Sequence, residues 1–230
     1  MPGRYAIISP PKVIRDFFRY EEEPDFPPRY NIAPTQPVPV VRLGDASGNG
    51  SLRHFVLMRW GFIPAFVRDP RGSAPIINAR AETAPEKPSF RAAVMRRRCL
   101  FIADAFYQWQ EGRKPRRAFM VRRPDGLPFG MAGIWECWAS PDGSEIDTAC
   151  ILTTSANGTL SAVSERMPII LEPDAHDAWL DCLHVGAADA MRLARAAPDE
   201  TLALVEIGEA VNRVANDGPF VQEPRGANSE

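Results

Sequence analysis

The chain of 230 residues has little of what several protein classes require. Its four cysteines are scattered, none forms a C-x-x-C pair, and only three histidines accompany them. A disulfide framework is therefore excluded, and no local metal-binding motif is present. No apolar run approaches the roughly 20 residues that span a bilayer, and the N-terminus lacks the features of a signal peptide. We expect a cytoplasmic protein with no membrane association, no metal and no cofactor.

Lysine is also scarce. Of the 27 cationic residues three are lysines, so 24 are arginines, while the formal net charge is -2. The planar fork of arginine suits bidentate phosphate contacts, although a GC-rich coding sequence explains the same skew. Proline, in contrast, is abundant: 23 residues, about twice its average frequency. Because proline interrupts helices and strands, we expect short and numerous regular elements.

Apolar and β-branched runs predict more strands than helices. The strands are expected at 5–9, 38–43, 55–63, 75–81, 99–109, 118–122, 129–138, 148–154, 169–171 and 202–207, and the helices at 10–18, 89–98 (with Ser89 as N-cap), 173–181, 187–196 and 208–216. Their order does not alternate regularly, which disfavours a doubly wound sheet. We predict an α+β fold: a single domain over 1–220 with a strongly twisted, mostly antiparallel mixed β-sheet and peripheral helices. A flexible loop is expected at 44–51 and a frayed C-terminal tail at 221–230.

Short motifs run along the chain in a fixed order. They are Gly-Arg-Tyr at 3–5, Tyr-Asn-Ile-Ala-Pro-Thr-Gln at 30–36, Arg-Trp-Gly-Phe-Ile-Pro at 59–64, Asn-Ala-Arg-Ala-Glu-Thr at 78–83, Phe-Tyr-Gln-Trp at 106–109, Ala-Gly-Ile-Trp-Glu at 132–136, Thr-Thr-Ser-Ala-Asn at 153–157, Arg-Met-Pro-Ile-Ile-Leu at 166–171 and Val-Asn at 211–212. Together, over nearly the whole chain, they resemble the SRAP family, the SOS response-associated peptidases. The resemblance implies an SRAP-like fold.

The resemblance also implies a reaction. Members of the family bind single-stranded DNA that carries an abasic site, and removal of Met1 leaves a cysteine at the N-terminus. Its amine condenses with the aldehyde of the opened sugar, and its thiol closes a thiazolidine that links protein and DNA. An Asn, a Glu and a His complete the family's site. The peptidase name reflects self-removal of the N-terminal residues and a proposed release of the crosslink.

This sequence departs from the family pattern at the reacting groups. Position 2 is Pro2, the expected Glu is Gln108, and the expected His is Ser164, so only Asn78 remains of the four catalytic positions. Without a thiol the thiazolidine cannot form, and neither an amide nor a hydroxyl replaces a titrating acid or base near neutral pH. Glu165 is a candidate substitute, although an exposed helix charge is the simpler interpretation. Asn78 would polarise an aldehyde or, more simply, satisfy backbone groups.

Three functions are compatible with this pattern. The first is an accessory protein that binds single-stranded or abasic DNA as a monomer, either non-covalently or through a reversible iminium ion, without the family's thiazolidine. The second is an enzyme in which the Pro2 amine, freed by removal of Met1, forms a Schiff base with the abasic aldehyde and crosslinks or cleaves the strand. The third is a protein-interaction module that has left DNA altogether. Whether the chain is an enzyme therefore stays open at this point.

The motifs that resemble the family's DNA contacts supply the expected DNA-binding residues: Arg4, Asn31, Pro34, Thr35, Trp60, Arg80 and Arg166. Trp60 would stack beside the lesion or pack in the core, because its strand is apolar enough for burial. Basic stretches at 96–98, 113–117 and 122–123 would extend a phosphate track or simply be solvated. With a net charge of -2, binding is expected to be weak and sensitive to salt.

Overall fold

The computed structural model describes residues 2–44, 52–110, 112 and 116–226. Most of the predicted loop 44–51, residues 113–115 of a basic stretch and the last four residues of the predicted tail lie outside the described residues. The strands are β1 (Tyr5–Ile7), β2 (Arg29–Ile32), β3 (Pro37–Leu43), β4 (Arg53–Trp60), β5 (Asn78–Arg80), β6 (Arg98–Ala103), β7 (Ala105–Trp109), β8 (Ala118–Arg122), β9 (Phe129–Ala139), β10 (Glu145–Ser155), β11 (Arg166–Pro168), β12 (Ile170–Leu171) and β13 (Ala203–Ile207).

The helices are short and lie between these strands. They are α1 (Pro11–Phe18), α2 (Pro88–Arg96), α3 (Gly158–Ser161), α4 (His176–Leu180) and α5 (Ala187–Leu193), with 3-10 helices at Pro173–Ala175, Asp199–Thr201, Glu209–Asn212 and Pro219–Gln222. None of the helices in the described part combines the length and the apolar character that a membrane crossing requires.

Five strands close on one another. They pair in the order β10-β4-β3-β6-β9, and β9 pairs again with β10. All of these pairs are antiparallel except β10 with β4. Strands β5 and β11 add to β10, and β12 adds to β9. The result is a small barrel, around which the larger apolar core is built.

The second sheet is antiparallel throughout, in the order β13-β8-β7-β1-β2. It buries a smaller core of its own, which includes Tyr107, Met120 and Val211. The prediction of an α+β fold with mostly antiparallel strands is confirmed. The strands are divided between two sheets.

The predicted strand 99–109 belongs to both sheets, because Asp104 breaks it. The Asp104 carboxylate accepts the backbone N–H groups of Ile8 and Ser9 at 2.6 and 2.9 Å, and the Asp104 N–H donates to Ala6. Strand β6 therefore stays in the barrel, while β7 continues beside β1 in the second sheet. Because the chain changes sheets at this corner, Gln108 lies in the second sheet and not in the barrel.

Several predicted boundaries were wrong. Helix α2 starts at Pro88 after an N-cap at Lys87, so Ser89 lies inside its first turn. No α-helix forms at 208–216, where the described backbone has only the 3-10 turn at Glu209–Asn212. Carbonyl groups of this segment bind the Asn31 amide instead of continuing a helix. Strands β2 and β11 were not predicted.

The described part of the predicted tail is packed against the protein. Val221 is fully buried within a 3-10 helix, and Pro224 forms a bridge with Ile207 at the end of β13. The Arg225 N–H donates to the carbonyl of Glu206 at 2.9 Å. The prediction of a tail that frays from residue 221 was therefore wrong for the described residues, because their contacts extend the edge of the second sheet.

Candidate functional site

A hydrogen bond joins the N-terminal segment to β5. Pro2 is buried, and its carbonyl oxygen accepts a hydrogen bond from Asn78 Nδ2 at 2.8 Å. Asn78 is the first residue of β5, where it pairs with Ile151 of β10. The other amide atom, Asn78 Oδ1, is buried and has no hydrogen-bond partner among the described residues. Asn78 thus fixes the N-terminal segment and keeps one acceptor available beside it.

Gln108 and Ser164 meet at a single backbone oxygen. Gln108 is buried in β7, and Ser164 lies between α3 and β11. Ser164 Oγ donates to the carbonyl oxygen of Arg166 at 2.8 Å, and Gln108 Nε2 donates to the same oxygen at 3.4 Å. The two positions where the resemblance expects Glu and His are therefore adjacent, and both hold side chains that do not titrate near neutral pH.

The register of the second sheet connects these two pairs. Tyr5 of β1 pairs with Phe106 of β7. Continuing this antiparallel register places Gly3 opposite Gln108, with Pro2 next to it. The structure therefore brings the four predicted catalytic positions together, at the place where the barrel and the second sheet meet.

Two carboxylates lie beside this cluster. Glu82 accepts two hydrogen bonds from the Arg166 guanidinium, both at 2.8 Å. This pairing lowers the pKa of Glu82 to about 2, so the carboxylate stays ionised and does not donate a proton near neutral pH. Glu165 has an exposed side chain, which agrees with the simpler interpretation of this residue as a surface charge.

The histidines and the buried cysteines lie away from the cluster. His54 contacts Glu22, His176 is buried in the core, and His184 contacts Asp181. Burial raises the pKa of the Cys99 and Cys150 thiols, so neither is an activated nucleophile, whereas Cys137, predicted as a core residue, is half-buried. Within the described residues, no three His, Cys, Asp or Glu side chains are grouped as metal ligands would be.

Two of the predicted DNA contacts are inside the protein. Trp60 is fully buried; its Nε1–H donates to the Ile77 carbonyl at 3.0 Å, and its ring packs edge-on against Tyr5 at 5.3 Å. The prediction that Trp60 stacks on a base is corrected to core packing. Asn31 is equally buried, and its amide donates to the carbonyl groups of Val211, Arg213 and Asn216. Asn31 therefore anchors the C-terminal segment to β2.

Arg4 and Arg166 already have partners within the protein. Arg4 Nη1 donates to Asn31 Oδ1 at 3.0 Å and to the Val211 carbonyl at 3.1 Å. Arg166 adds to its pair with Glu82 a hydrogen bond to the Thr153 carbonyl at 2.6 Å. A phosphate at either guanidinium would compete with these partners.

The turn between β2 and β3 and the end of β5 are accessible. Thr35 is exposed with a φ of 72°, and its N–H donates to the Trp60 carbonyl at 2.7 Å; Pro34 beside it is half-buried. A non-glycine residue in this left-handed region is uncommon, and such residues cluster at functional sites. Arg80 is exposed, and its guanidinium has no hydrogen bond or ion pair with any described residue. Arg80 is thus the predicted contact best placed to meet a phosphate.

One exposed aromatic residue was missed. Phe66 has 66% of its surface exposed and lies in the segment that connects β4 to β5, two residues after Pro64. The available signal was the apolar pair Phe66-Val67 inside a segment rich in proline and charge, where a buried strand is not expected. Phe66, unlike Trp60, is exposed enough for the stacking role that was predicted for Trp60.

Comparison with known proteins agrees with the motifs. The sequence model of the family described as SOS response associated peptidase (SRAP) matches residues 1–214. The abasic site processing protein YoqW of Bacillus subtilis is 30% identical over 97% of this chain and 99% of its own length. The abasic site processing protein YoaM of the same organism is 33% identical over 79% of each chain. A crystal structure of a protein from Bacteroides thetaiotaomicron superposes with a TM-score of 0.83 and 24% identity, covering 96% of this chain and 98% of that one, which supports the fold alone.

Proposed function

Because this chain belongs to the SOS response-associated peptidase family, we propose that it binds abasic sites in single-stranded DNA without forming the family's thiazolidine. The observation that carries the proposal is the cluster of Pro2, Asn78, Gln108 and Ser164, with Arg80 two residues after Asn78 in β5 and without an ion pair among the described residues. A scaffold released from DNA has no need to keep Asn78, the one retained catalytic position, together with Arg4, Arg80 and Arg166. The names of relatives such as YoqW, an abasic site processing protein, support the same substrate.

The loss of the thiazolidine follows from atom balance. The family reaction condenses a primary amine with an aldehyde, releases water, and then adds a thiol to the imine carbon. Pro2 offers a secondary amine at best and no sulfur. The remaining interactions are hydrogen bonds to the sugar and ionic contacts to phosphates, which are reversible and weaken as salt increases.

Fluorescence anisotropy tests this proposal. Labelled single-stranded, duplex and abasic single-stranded oligonucleotides are titrated with the protein at about 50 mM and about 200 mM salt, the range over which phosphate contacts lose affinity steeply. The expected order of affinity is abasic single strand, intact single strand, then duplex. Arg80→Ala should weaken all three and reduce the salt slope by about 0.7, the contribution of one phosphate contact to a single strand.

Arg192→Ala is the matched control, since this exposed arginine lies on α5 and pairs only with Asp189 among its described ion-pair partners. It should leave affinity and slope unchanged. If no oligonucleotide binds at low salt, the protein-interaction alternative replaces this proposal. If duplex binds as well as the abasic single strand, recognition of the lesion is wrong.

A second candidate function uses the Pro2 amine, once Met1 is removed, as a nucleophile. The hydrogen bond from Asn78 to the Pro2 carbonyl supports it, because it holds residue 2 beside Asn78, whose Oδ1 is an acceptor that lacks a described partner. The amine would add to the aldehyde and lose water to give an iminium ion. Gln108 and Ser164 offer no proton transfer, so we expect this step to be slow.

Borohydride trapping separates the two candidates. Sodium borohydride reduces an iminium ion to a stable tertiary amine, which a denaturing gel detects as a shifted band. Wild type should be trapped on abasic DNA, and protein with an acetylated N-terminus should not. Equal trapping in both, or none in either, rules out the Pro2 route and leaves reversible binding.

A further inference from the structure

The chain after β13 reaches across the second sheet from one edge to the other and returns. We call residues 208–226 the C-terminal strap. Its first half reaches β2, where its carbonyl groups accept hydrogen bonds from the Asn31 amide. Its second half returns to β13, at the opposite edge of the sheet, where Pro224 forms a bridge with Ile207. The match to the family's sequence model ends at residue 214, so the resemblance assigns no role to the second half.

The strap meets β2 at a β-bulge. The register between β1 and β2 shifts, so that Ala6 alone lies opposite both Tyr30 and Asn31. A bulge of this kind leaves backbone groups outside the ladder and redirects side chains, and bulges are frequent beside active sites. The side chain that this bulge redirects is therefore a candidate for a functional contact.

The strap holds the bulge through both its N–H and its carbonyl groups. Asp217 Oδ1 accepts the backbone N–H groups of Tyr30 and Asn31, at 2.5 and 3.0 Å. The Tyr30 carbonyl accepts a hydrogen bond from the Tyr107 hydroxyl at 2.6 Å, and Gln222 of the strap donates to that hydroxyl at 2.9 Å. Without Asp217, two adjacent N–H groups would lose this acceptor, so the shape of the bulge depends on the carboxylate.

The bulge in turn sets the place of Arg4. Asn31 is fully buried, and its Oδ1 accepts a hydrogen bond from Arg4 Nη1 at 3.0 Å; the Val211 carbonyl, which belongs to the strap, accepts from the same atom at 3.1 Å. Both acceptors are uncharged, and Arg4 has no ion pair among the described residues, so its guanidinium is held without being neutralised. Competition for Nη1 leaves Nη2 and Nε, which have no described hydrogen bond, facing a phosphate.

We propose that Asp217 is a positioning residue for DNA binding, which acts through the bulge and the Asn31 amide to hold Arg4 against a phosphate of the abasic strand. This inference rests on the proposed function and adds to it a residue that touches no DNA. Asp217 Oδ2 pairs with Arg29, which offsets the negative charge locally. Loss of Asp217 makes the protein less negative and should nevertheless weaken binding, which is the opposite of what net charge predicts.

The experiment measures the slope of log affinity against log salt for an abasic single strand, by fluorescence anisotropy. A fixed inactive fraction of the protein does not change this slope, so partial misfolding of a variant cannot imitate the effect. Arg4→Ala should reduce the slope by about 0.7, the value of one phosphate contact. Asp217→Ala should reduce it by a similar amount, and the double variant by no more than either alone, because both remove the same contact. Asp217→Asn keeps an acceptor oxygen for the bulge and should keep the slope.

Asp189→Ala is the matched control. It also removes one carboxylate that pairs with an arginine, but on α5, so its slope should not fall. An unchanged slope in Asp217→Ala, or losses that add in the double variant, would overturn the role of Asp217. An unchanged slope in Arg4→Ala would overturn it as well, while the proposed function would stand on Arg80. Failure of wild type to bind any abasic strand would instead overturn the proposed function.

Discussion

At the candidate site, amide and hydroxyl groups occupy positions where proton transfer needs a titrating group. Gln108 donates to the Arg166 carbonyl, so a carboxylate at position 108 would face an oxygen atom and favour its protonated form. A buried carboxyl group with a raised pKa is a general acid suited to neutral pH. The same geometry that suits glutamine therefore suits the acid that the family pattern expects.

We predict that thiazolidine chemistry can be restored in two steps. Pro2→Cys should form a crosslink with abasic single-stranded DNA slowly, and Pro2→Cys with Gln108→Glu should form it about a hundredfold faster, the usual effect of one general acid. The measurement is the rate at which a shifted band appears on a denaturing gel without borohydride. Pro2→Ser with Gln108→Glu is the control without a thiol. Crosslinking by this control at the same rate would contradict the prediction.

The burial of His176 leads us to predict that the stability of the protein depends on pH. His176 is buried, stacks on Phe18 at 5.5 Å, and bonds the Leu171 carbonyl through Nε2, while its Nδ1 has no described partner. Burial lowers its pKa to about 4, and an unfolded histidine titrates near 6.5. Below about pH 6.5 the unfolded chain therefore binds a proton that the folded protein does not.

The free energy of unfolding should accordingly be constant above pH 7 and fall by about 2 kcal/mol between pH 7 and pH 5 from this group. Urea unfolding across this range measures it. His176→Gln should flatten the decline, although the protein is less stable overall. His184→Gln changes an exposed histidine and should leave the decline intact. An unchanged slope in His176→Gln would show that other groups cause it.

The corner between β6 and β7 sets where the two sheets meet. Because Asp104 binds two backbone N–H groups of the segment after β1, it fixes β1 and β7 as neighbours. Hydrogen bonds to a charged group contribute about 1.5 to 3 kcal/mol each, and loss of the acceptor leaves two partly buried backbone donors without this partner. The corner thus fixes the course of β7, which holds Gln108 at the candidate site.

Asp104→Ala should lower the free energy of unfolding by about 3 kcal/mol in urea. Asp104→Asn, which keeps an acceptor oxygen, should lose roughly half of that. Asp16→Ala removes an exposed carboxylate from α1 and should change stability by less than about 0.5 kcal/mol. A loss in Asp104→Ala no larger than in the control would mean that the corner is held by strand pairing alone.

The sequence was sufficient for the elements whose pattern is local. Strands β3, β8, β9 and β13 are apolar runs bounded by turn residues, and all were predicted within a few residues. Strands β2 and β11 were missed because they have three or four residues and depend on their partners in the sheets. The predicted helix near residue 210 failed for the same reason, since the Asn31 amide captures its carbonyl groups.

The same distinction applies to the candidate site. The order of the motifs was sufficient to predict that Pro2, Asn78, Gln108 and Ser164 share one site, because the resemblance rests on residue types that the sequence alone shows. Burial was not recognisable in this way. The residues before Trp60 suit both a core strand and a surface strand, and closure of the barrel decides between them. Phe66 was missed because its exposure depends on how the β4–β5 segment folds over Trp138.

Among the described residues several arginines form local ion pairs, which the net charge of -2 does not reveal. Arg117 pairs with Glu206, Arg123 with Asp125 and Glu172, and Arg97 with Glu136. These ion pairs cancel part of the field that would attract DNA. The pair of Arg166 with Glu82 matters most for the proposed function, because it lies at the candidate site.

Release of Arg166 should therefore strengthen DNA binding. Glu82→Gln removes the carboxylate that holds the guanidinium, so a phosphate no longer competes with it. Affinity for abasic single-stranded DNA should increase, and the slope of log affinity against log salt should steepen by about 0.7, the value of one additional phosphate contact. Lowering the pH cannot substitute for this variant, since Glu82, with a pKa of about 2, stays ionised wherever binding is measured.

Glu165→Gln separates release of the guanidinium from a change in net charge. It removes one negative charge beside the same cluster, but its exposed carboxylate has no described ion pair with an arginine. Anisotropy titrations over a range of salt concentrations should show a steeper slope for Glu82→Gln and a nearly unchanged one for Glu165→Gln. Equal gains in the two variants would mean that overall charge governs the affinity, and weaker binding by Glu82→Gln would mean that Arg166 contacts DNA only when the carboxylate positions it.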